Sequence, residues 1–503
     1  MDFDVIIGLE IHAELKTKSK MFCQCDNDAD NAKPNQHTCP ICMAHPGTLP
    51  IPNEQAIKWT ILTGLALHSK INQLSKFDRK NYFYPDIPKG YQISQYDLPL
   101  VYDGYMDIDG EKIAITRIHL EEDTGKNIHP IGKNYSLIDF NRAGTPLMEL
   151  VTEPVIKSAE QAKKFCQIYQ QILRYLNISD ADMEKGHMRC EANVSIQEKN
   201  KWQYTGDCKI TPIDDYKLNP KVEIKNINSF RALEKAINYE IKRQTLALTE
   251  GEKLIQETRG WDENKGETIS QRKKETSADY RYFPEPDIPP LNITNEIIEE
   301  IKTHLIEMPP EKKKRFIEQY DLDSQTAEIL VSEKKLADYT ENIISELQSW
   351  INSSGDTWER QKKKLAKTTS NWLTSELFKH LKEDGKNISD ILITPENFAE
   401  LITLVYQNKI NSSAGQKILE VMYQKGGDPT DIMTKLGLEQ MDNTEELKII
   451  IQEIIEKNPK QVSEYKNGKE NILQFLVGQT MAATKGKANP KTVTEMLKNY
   501  FKA

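Results

Sequence analysis

The period of the hydrophobic pattern changes once along the chain, and this change restricts the fold. Up to about Leu291, short runs of alternating apolar and polar residues, such as 112–118, are separated by glycine, proline, asparagine and aspartate. This pattern is typical of an antiparallel sheet with long loops. Beyond Asn295 the apolar residues recur at the helical period, and the prolines within 283–290 exclude a helix there. The sequence therefore predicts an α+β fold, in which a large N-terminal antiparallel-sheet domain is followed by helices.

Length and turn signals predict three domains. A chain of 503 residues is too long for one hydrophobic core and suggests about three. We place a sheet domain at 1–292, an all-helical domain at 293–400 and a small helical tail domain at 401–503. Turn signals at 425–429 and 485–490 separate the helices of the tail.

Charge and hydropathy limit the partners of this chain. The net charge of −9 excludes a generally cationic surface, so any RNA contact has to come from a local basic patch. No run of about 18 apolar residues occurs, and the N-terminus leads directly into strand-like sequence. We therefore expect a cytoplasmic protein without a membrane partner.

Seven cysteines, an odd number, indicate a reducing compartment and not a disulfide framework. Four of them form two close pairs within an insertion at about 22–43, and these are Cys23, Cys25, Cys39 and Cys42. The pairs predict two knuckles that fold over one structural Zn²⁺. His37 lies between the pairs and is an alternative ligand for one position. Four reduced surface thiols are the other interpretation.

The first strand places ionisable groups on one face. Apolar residues alternate with polar ones from Val5 to Leu15, so Glu10, His12 and Glu14 lie on the polar face of a half-buried strand. A solvated strand face is the alternative interpretation. Further carboxylates at 119–123 and 139–149, the latter beside an arginine, favour hard oxygen ligands for a divalent cation.

The segment 78–95 is rich in cations and tyrosines, which core packing does not require. Neither a P-loop nor a dinucleotide-binding glycine motif occurs, so ATP would have to be held by metal and by cations such as Arg79, Lys80 and Lys89. Carboxylates for a metal together with cations for phosphate point to phosphoryl chemistry.

The aromatic residues of the same segment have two interpretations. Tyr82, Phe83, Tyr84 and Tyr91 are suited to a hydrophobic core or to base stacking. We expect core packing.

Motifs throughout the chain resemble one family, GatB, which is a component of the tRNA-dependent amidotransferase GatCAB. They occur in the order of that family at 7–12, 80–86, 91–95, 119–123, 141–149, 179–184, 222–226, 256–260, 279–286, 475–479 and 485–490. The chain departs from the family pattern at Glu191, where aspartate is usual, and at 206–220, where the segment is longer.

The resemblance implies a catalytic cradle domain, a helical domain and a tail domain similar to YqeY. It implies ATP-dependent phosphorylation of the side-chain carboxylate of Glu-tRNA(Gln), Asp-tRNA(Asn) or both, followed by amidation. Ammonia would come from a partner amidase subunit (GatA), because this chain has no Ser/Ser/Lys amidase motif. A small linker subunit (GatC) would complete a heterotrimer that binds misacylated tRNA.

The resemblance also assigns roles to single residues. His12, Glu122 and Glu149 would hold Mg²⁺, and the catalytic residues would be Glu10, Lys80 and Lys89. The two lysines would hold phosphate or line the ammonia route. The expected nucleotide contacts are Arg79, Tyr82 and Arg142.

The basic tail is the place where we expect RNA. Residues 484–503 carry five lysines and a single glutamate, and the lysines that we assign to tRNA are Lys485, Lys487 and Lys491. A solvated helix face would be the interpretation without the resemblance.

Two other functions fit parts of the sequence. One is a zinc-stabilised tRNA-binding scaffold without kinase activity, and the other is a self-contained ATP-dependent ligase that uses free ammonia. The set of Glu10, His12, Glu122 and Glu149 argues against the scaffold, because a scaffold does not need clustered metal ligands.

Overall fold

The structure is a computed structural model that describes residues 2–206, 208–273, 280–439, 444–484 and 487–502. The chain divides into two compact units, Met1–Pro309 and Pro310–Ala503. The first unit contains the sheets, and the second consists of helices. This arrangement confirms the predicted α+β fold class.

The strands of the first unit form one large sheet and four small ones. In the described residues they are β1 Phe3–Glu14, β2 Lys70–Ile71, β3 Leu74–Ser75, β4 Asp78–Asn81, β5 Tyr91–Ser94, β6 Val101–Ile108, β7 Glu111–Glu122, β8 Lys126–Ile128, β9 Leu137–Asp139, β10 Pro146–Thr152, β11 Met188–Glu198, β12 Trp202–Tyr204, β13 Ile210–Pro212, β14 Val222–Lys225, β15 Glu257–Asp262, β16 Glu267–Lys273, β17 Arg281–Pro284 and β18 Leu291–Asn292. The large sheet has the order β16-β15-β14-β11-β1-β10-β7-β6-β2, and only the β14–β15 pair in it is parallel.

The alternation of β1 sorts its side chains to the two faces of the large sheet. Ile7, Leu9 and Ile11 are fully buried and share one hydrophobic core with Phe165 and Leu233. The helices that cover this apolar face are α1 Glu54–Ala66, α2 Ala159–Tyr175 and α3 Phe230–Thr249. The opposite face of β1 therefore carries the polar residues, as the sequence predicts.

Serine caps fix where two of these helices begin. The hydroxyl of Ser158 accepts a hydrogen bond from the backbone N–H of Gln161, and Ser229 does the same for Ala232. Such caps satisfy backbone donors that have no partner in the first helical turn.

The first unit extends beyond the predicted boundary at residue 292. Helix α4, Asn295–Lys302, follows β18, and both Ile301 and Met308 are buried in the core of the sheet unit. The compact unit therefore ends at Pro309, because the first predicted helix of the helical region buries its apolar face in the sheet domain.

The second unit contains a succession of helices around two hydrophobic clusters. In the described residues the α-helices are α5 Pro309–Tyr320, α6 Ser324–Leu330, α7 Lys334–Ser353, α8 Trp358–Asn371, α9 Phe378–Asp384, α10 Pro395–Tyr406, α11 Ser412–Lys425, α12 Pro429–Leu436, α13 Thr444–Lys457, α14 Pro459–Lys466, α15 Ile472–Ala483 and α16 Pro490–Lys502. A π-helical turn at Trp372–Leu377 joins α8 to α9, and a 3₁₀ turn covers Ile388–Asp390.

The two clusters do not divide where the sequence places a domain boundary. One cluster runs from Phe316 to Met433, and the other from Leu447 to Leu497. Helix α10 crosses the predicted division at 400/401, and Ala399 and Leu401 on its two sides belong to the same cluster.

We predict that Ile11→Ala lowers the opening free energy of the sheet unit by about 2–5 kcal/mol, because it leaves a cavity in the core. Amide hydrogen exchange of β1 measures this value separately from the helical unit. Ile131→Ala is the matched control, because Ile131 is fully exposed. An equal effect of the two substitutions would contradict the assignment of the core face.

Candidate active site

The register of four neighbouring strands brings ionisable residues into one row on the polar face of the large sheet. His119 of β7 lies opposite Glu149 of β10, Glu149 lies opposite His12 of β1, and His12 lies opposite Arg189 of β11. Side chains of directly opposite residues project from the same face of a sheet. Residues distant in sequence, from the first strand to the eleventh, therefore meet at one place.

Five side chains form the centre of this face, and we call them the acidic cluster: Glu10, His12, His119, Glu121 and Glu149. Nε2 of His12 lies 3.3 Å from Oε2 of Glu149, 3.5 Å from Oε1 of Glu121 and 3.8 Å from Oε1 of Glu10. Nε2 of His119 approaches the same Oε2 of Glu149, at 3.4 Å. Glu149 is thus the residue that both imidazoles share.

The acidic cluster contains two overlapping sets of metal ligands. Glu10, His12 and Glu149 form one set, and His119, Glu121 and Glu149 form the other; within each set the ligand atoms lie within 4.8 Å of one another. Carboxylate oxygens are the ligands that Mg²⁺ prefers. The Nδ1 atom of His119 is buried and has no hydrogen-bond partner among the described residues, so the site is incompletely satisfied by protein groups alone. These residues fit a divalent cation.

Burial and mutual repulsion alter the protonation of the cluster. Burial and the charge of Glu149 raise the pKa of Glu10 to about 7. Burial also opposes the charge on Glu149, but His119 and His12 outweigh it and hold the pKa of Glu149 below its usual range. Burial disfavours a charged His12, yet its hydrogen bonds to carboxylates raise its pKa. The face carries more negative charge than its own residues neutralise, which favours a bound cation.

A small three-stranded sheet, ordered β17-β4-β5, brings a lysine to the cluster. Lys80 of β4 lies opposite Tyr282 of β17 and Gln92 of β5. Burial alone would lower the pKa of Lys80, but the neighbouring carboxylates of Glu121 and Glu149 outweigh burial and raise it. In the described part of the chain Lys80 forms no ion pair, so its ammonium group remains available to an anionic ligand.

A third group of carboxylates adjoins the cluster on β11 and β14. Glu10, Glu191 and Glu223 place ligand atoms within 4.8 Å of one another. Nζ of Lys225 lies 2.8 Å from Oε2 of Glu191 and 3.6 Å from Oε1 of Glu223. Because a lysine of the same face neutralises two of its carboxylates, this group needs a cation less than the acidic cluster does.

The two cysteine pairs lie together in the loop that follows β1. The Sγ atoms of Cys23, Cys25, Cys39 and Cys42 all lie within 4.8 Å of one another, and those of Cys39 and Cys42 are 3.8 Å apart. Zinc–sulfur bonds of about 2.3 Å in a tetrahedron require sulfur atoms about 3.8 Å apart. The four thiols therefore fit a structural zinc ion, and the metal-ligand group contains no imidazole from His37.

One of these cysteines is already in the form that a metal requires. A hydrogen bond from Cys23 lowers the pKa of Cys42 to about 5, which makes Cys42 a thiolate at neutral pH. The ammonium group of Lys20 nearby adds to this effect.

Two family models match the chain. One is described as the GatB/GatE catalytic domain and matches residues 5–299, and the other is described as the GatB domain and matches residues 356–501. The chain belongs to the GatB family. The first match contains the acidic cluster and the four cysteines, and the membership confirms the family that the motifs predict.

Relatives in this family are similar along their whole length. Each bears the name of the GatB component of an aspartyl/glutamyl-tRNA(Asn/Gln) amidotransferase. The relative from Thermoanaerobacter pseudethanolicus is 44% identical over 502 residues, which are 99% of each chain. The relative from Thermodesulfovibrio yellowstonii is 44% identical over 510 residues, and the one from Persephonella marina is 43% identical over 506, in both cases with 100% of each chain covered.

The structure brings Glu121, and not Glu122, beside His12 and Glu149. Successive residues of a strand point to opposite faces, so these two neighbours separate. The carboxylate of Glu122 accepts hydrogen bonds from Nζ of Lys89 at 2.7 Å and from the backbone N–H of Ile93 at 3.0 Å. The GatB motif at 119–123 therefore contributes to the cluster through its first and third residues, and the assignment of Glu122 to the metal requires correction.

Glu121 and His119 are the residues that the sequence reasoning missed. The signal was present, because the alternation that places Glu10 and His12 on one face also pairs His119 with Glu121. It was not usable without the register of β7 on β10, which only the folded sheet supplies.

Two predicted nucleotide contacts are arginines that hold loops. Arg79 donates from Nε and Nη2 to both carboxylate oxygens of Glu285, at 2.6 and 2.8 Å, and lies 4.5 Å from the ring centre of Tyr91. Arg142 donates to the carbonyl oxygens of Thr124 and Gly125, both at 3.0 Å. A nucleotide would have to displace these bonds to use either guanidinium group.

Tyr82, the third predicted nucleotide contact, lies beside Lys80 on the small sheet. Its hydroxyl is 3.5 Å from Oε1 of Gln92. Burial raises the pKa of Tyr82, so this hydroxyl stays protonated and is a hydrogen-bond donor.

The lysines assigned to RNA belong to the second unit. Lys485 lies outside the described residues. Lys487 is half-buried, and Lys491 is exposed in the first turn of α16. In the described residues no helix is both long and apolar enough to cross a lipid bilayer.

We predict that Glu121→Gln weakens Mn²⁺ binding to the chain by at least about tenfold, since even the outer partners of metal ligands are worth about 10- to 100-fold in affinity. Isothermal titration calorimetry, or the electron paramagnetic resonance signal of free Mn²⁺, measures the affinity. Glu122→Gln is the matched control, because its carboxylate faces Lys89. A larger loss in Glu122→Gln than in Glu121→Gln would contradict this placement.

We also predict that the purified chain contains about one zinc ion and that Cys42→Ser abolishes zinc retention, because a structural site needs all four ligands. Inductively coupled plasma mass spectrometry measures the metal content. Cys208→Ser serves as the control, since Cys208 is outside the group of four thiols. Equal zinc content in all three proteins would show that the thiols do not hold the metal.

Proposed function

We propose that this chain phosphorylates the side-chain carboxylate of a misacylated tRNA with ATP and then exchanges the phosphate for ammonia. The products are Gln-tRNA(Gln), Asn-tRNA(Asn) or both. The observation that carries the proposal is the acidic cluster with Lys80 facing it, which together provide oxygen ligands and a cation in one place. The chain is thus an ATP-dependent carbon–nitrogen ligase with glutamine as the amide donor.

The chemistry explains why a phosphate is needed. A free carboxylate is a poor electrophile without a leaving group, so ammonia does not attack it. Transfer of the γ-phosphoryl group from ATP gives an acyl phosphate and ADP. Attack by ammonia on the acyl carbon then breaks the carbon–oxygen bond, releases phosphate and leaves the amide. Phosphoryl transfer depends on positioning and on neutralisation of the developing negative charge.

The residues of the acidic cluster would hold Mg²⁺, with Glu149 and His12 central and Glu10, Glu121 and His119 around them. When bound, this ion neutralises charge on the phosphate oxygens of ATP. Lys80 lies across the cleft from these carboxylates and would bind the oxygens of the transferred phosphoryl group. Its position on the small sheet, opposite the metal ligands of the large sheet, suits a clamp around the phosphate.

The ammonia route is proposed for the other side of β7. Lys89 and Glu122 form an ion pair of 2.7 Å beside a cavity of about 260 Å³ that also borders the zinc knuckles. We infer that ammonia, produced from glutamine by an amidase partner (GatA), passes this pair. A small linker subunit (GatC) would complete a heterotrimer, in keeping with the names of the relatives, which describe one component of a larger enzyme.

The remaining parts would support substrate binding. The four cysteines would hold structural Zn²⁺, and the tail would contact the body of the tRNA through Lys487 and Lys491. The charges of these lysines act on the phosphate backbone and not on the reaction. ATP, Mg²⁺ and Zn²⁺ are therefore the expected cofactors of a cytoplasmic enzyme.

The test measures amidation by the chain, purified together with its partner subunits, on misacylated tRNA with ATP, Mg²⁺ and ammonium. We predict that Glu149→Gln lowers the rate of amidation and of tRNA-dependent ATP hydrolysis by about a hundredfold or more, because charge stabilisation in such sites is worth that much. Ammonium in place of glutamine removes any dependence on the amidase partner.

Glu153→Gln is the control. Glu153 follows β10 directly and accepts a hydrogen bond from Thr116, outside the cluster. Folded Glu149→Gln protein that amidates at the rate of the unsubstituted chain would exclude the kinase and leave the tRNA-binding scaffold as the function.

A further inference from the structure

Large aromatic side chains beside Lys80 remain exposed, contrary to the expectation that they pack in the core. Phe83 is 80% exposed and Tyr84 64%, and Tyr280 at the start of β17 is 50% exposed. Exposed aromatic residues next to a catalytic cleft indicate a binding surface, since their burial elsewhere would stabilise the fold. The core-packing prediction for Phe83 and Tyr84 is therefore wrong.

Three tyrosines form a continuous row from the surface to the cleft, and we call Tyr84, Tyr82 and Tyr280 the tyrosine row. The ring centres of Tyr84 and Tyr82 are 6.4 Å apart, and those of Tyr82 and Tyr280 are 5.4 Å apart. The ring centre of Tyr280 lies 5.0 Å from Nζ of Lys80. The row thus ends at the cation that faces the acidic cluster.

The chemistry of the row suits a nucleobase. Tyrosine offers a flat ring for stacking and a hydroxyl for a hydrogen bond to a base edge. Neither Tyr84 nor Tyr280 has its hydroxyl bonded to any other described residue, so both remain open to a ligand. Aromatic side chains that stack unpaired bases are the usual means of holding single-stranded RNA ends.

The position of the row matches one base in particular. In the proposed reaction the carboxylate at the acidic cluster is joined, through a short side chain and an ester, to the ribose of the last nucleotide of the tRNA. The base on that ribose has to lie close to Lys80, which is where Tyr280 lies. A base farther along the tRNA would not be constrained to this place.

We propose that the tyrosine row stacks the nucleobase at the aminoacylated 3′ end of the tRNA and thereby positions the amino-acid carboxylate at the acidic cluster. This inference rests on the proposed function. Tyr84 and Tyr280 are positioning residues in it, because they touch the base and not the reacting atoms. The adenine of ATP is the other source of a base, and the experiment separates the two.

The first measurement is steady-state kinetics of the complex with its partner subunits, with the misacylated tRNA and ATP varied separately. Tyr84→Ala and Tyr280→Ala should each raise the KM for the tRNA about tenfold, which is within the range for loss of one base–aromatic stack. The KM for ATP should not change. Tyr84→Phe keeps the ring and should restore the KM for the tRNA.

Tyr135→Ala is the matched control. Tyr135 is 53% exposed, similar to the two tyrosines of the row, and lies between β8 and β9. It should leave both KM values unchanged, because it has no part in the row or the cluster.

The second measurement does not need turnover. A tRNA with 2-aminopurine as its 3′-terminal base loses fluorescence when that base stacks, so binding to the unsubstituted complex should quench it. Tyr84→Ala and Tyr280→Ala should lose the quenching, whereas Tyr84→Phe and Tyr135→Ala should retain it. The readout reports stacking of this one base, whatever the rate of reaction.

The outcomes distinguish this inference from the proposed function. A raised KM for ATP with an unchanged KM for tRNA would overturn it and assign the row to the adenine of ATP. Active variants with unchanged KM values and unchanged quenching would overturn it while the proposed function stands. A complex that does not amidate, yet shows quenching that depends on Tyr84 and Tyr280, would support the stacking and refute the reaction.

Discussion

The pairing of β1 with β10 on one side and β11 on the other is the constraint on which the rest of the structure depends. In this position β1 has Ile7, Leu9 and Ile11 buried in the core, and it places Glu10 and His12 on the opposite face. A slip of the register by one residue would move every apolar side chain of β1 to the polar face and every ligand into the core. Burial of the apolar face therefore also fixes the geometry of the candidate metal site.

The polar face combines groups that are costly to bury unless they neutralise one another. Three carboxylates and two imidazoles meet there, and the compensating cation, Lys80, comes from a separate small sheet. An uncompensated buried charge costs far more than a paired one, so the two sheets are coupled electrostatically. That small sheet is held in turn by Arg79, whose partner Glu285 lies 206 residues further along the chain. The cleft thus depends on contacts that close very long loops.

Several features could be predicted because they depend on local pattern. The change from an alternating to a helical period predicts the order of sheet and helices, and the alternation of β1 predicts that Glu10 and His12 share a face. Close spacing of cysteines predicts that their sulfur atoms gather, and the atoms do lie within 4.8 Å of one another. The reasoning failed where neighbours in sequence have opposite surroundings, as with Glu121 and Glu122. It failed again at Phe83 and Tyr84, because composition gives no information on which side of a small sheet faces the core.

By itself the sequence determined the family, the fold class and the chemical types of the ligands, since each of these follows from residue identity and short-range spacing. Only the tertiary structure decided which carboxylates meet, that Arg79 is engaged by Glu285 and that the tyrosines beside Lys80 remain exposed. The physical reason is that these properties depend on strand register and on contacts between segments as much as 206 residues apart. Period and spacing act within a few residues, whereas burial and charge pairing are settled when the sheets assemble.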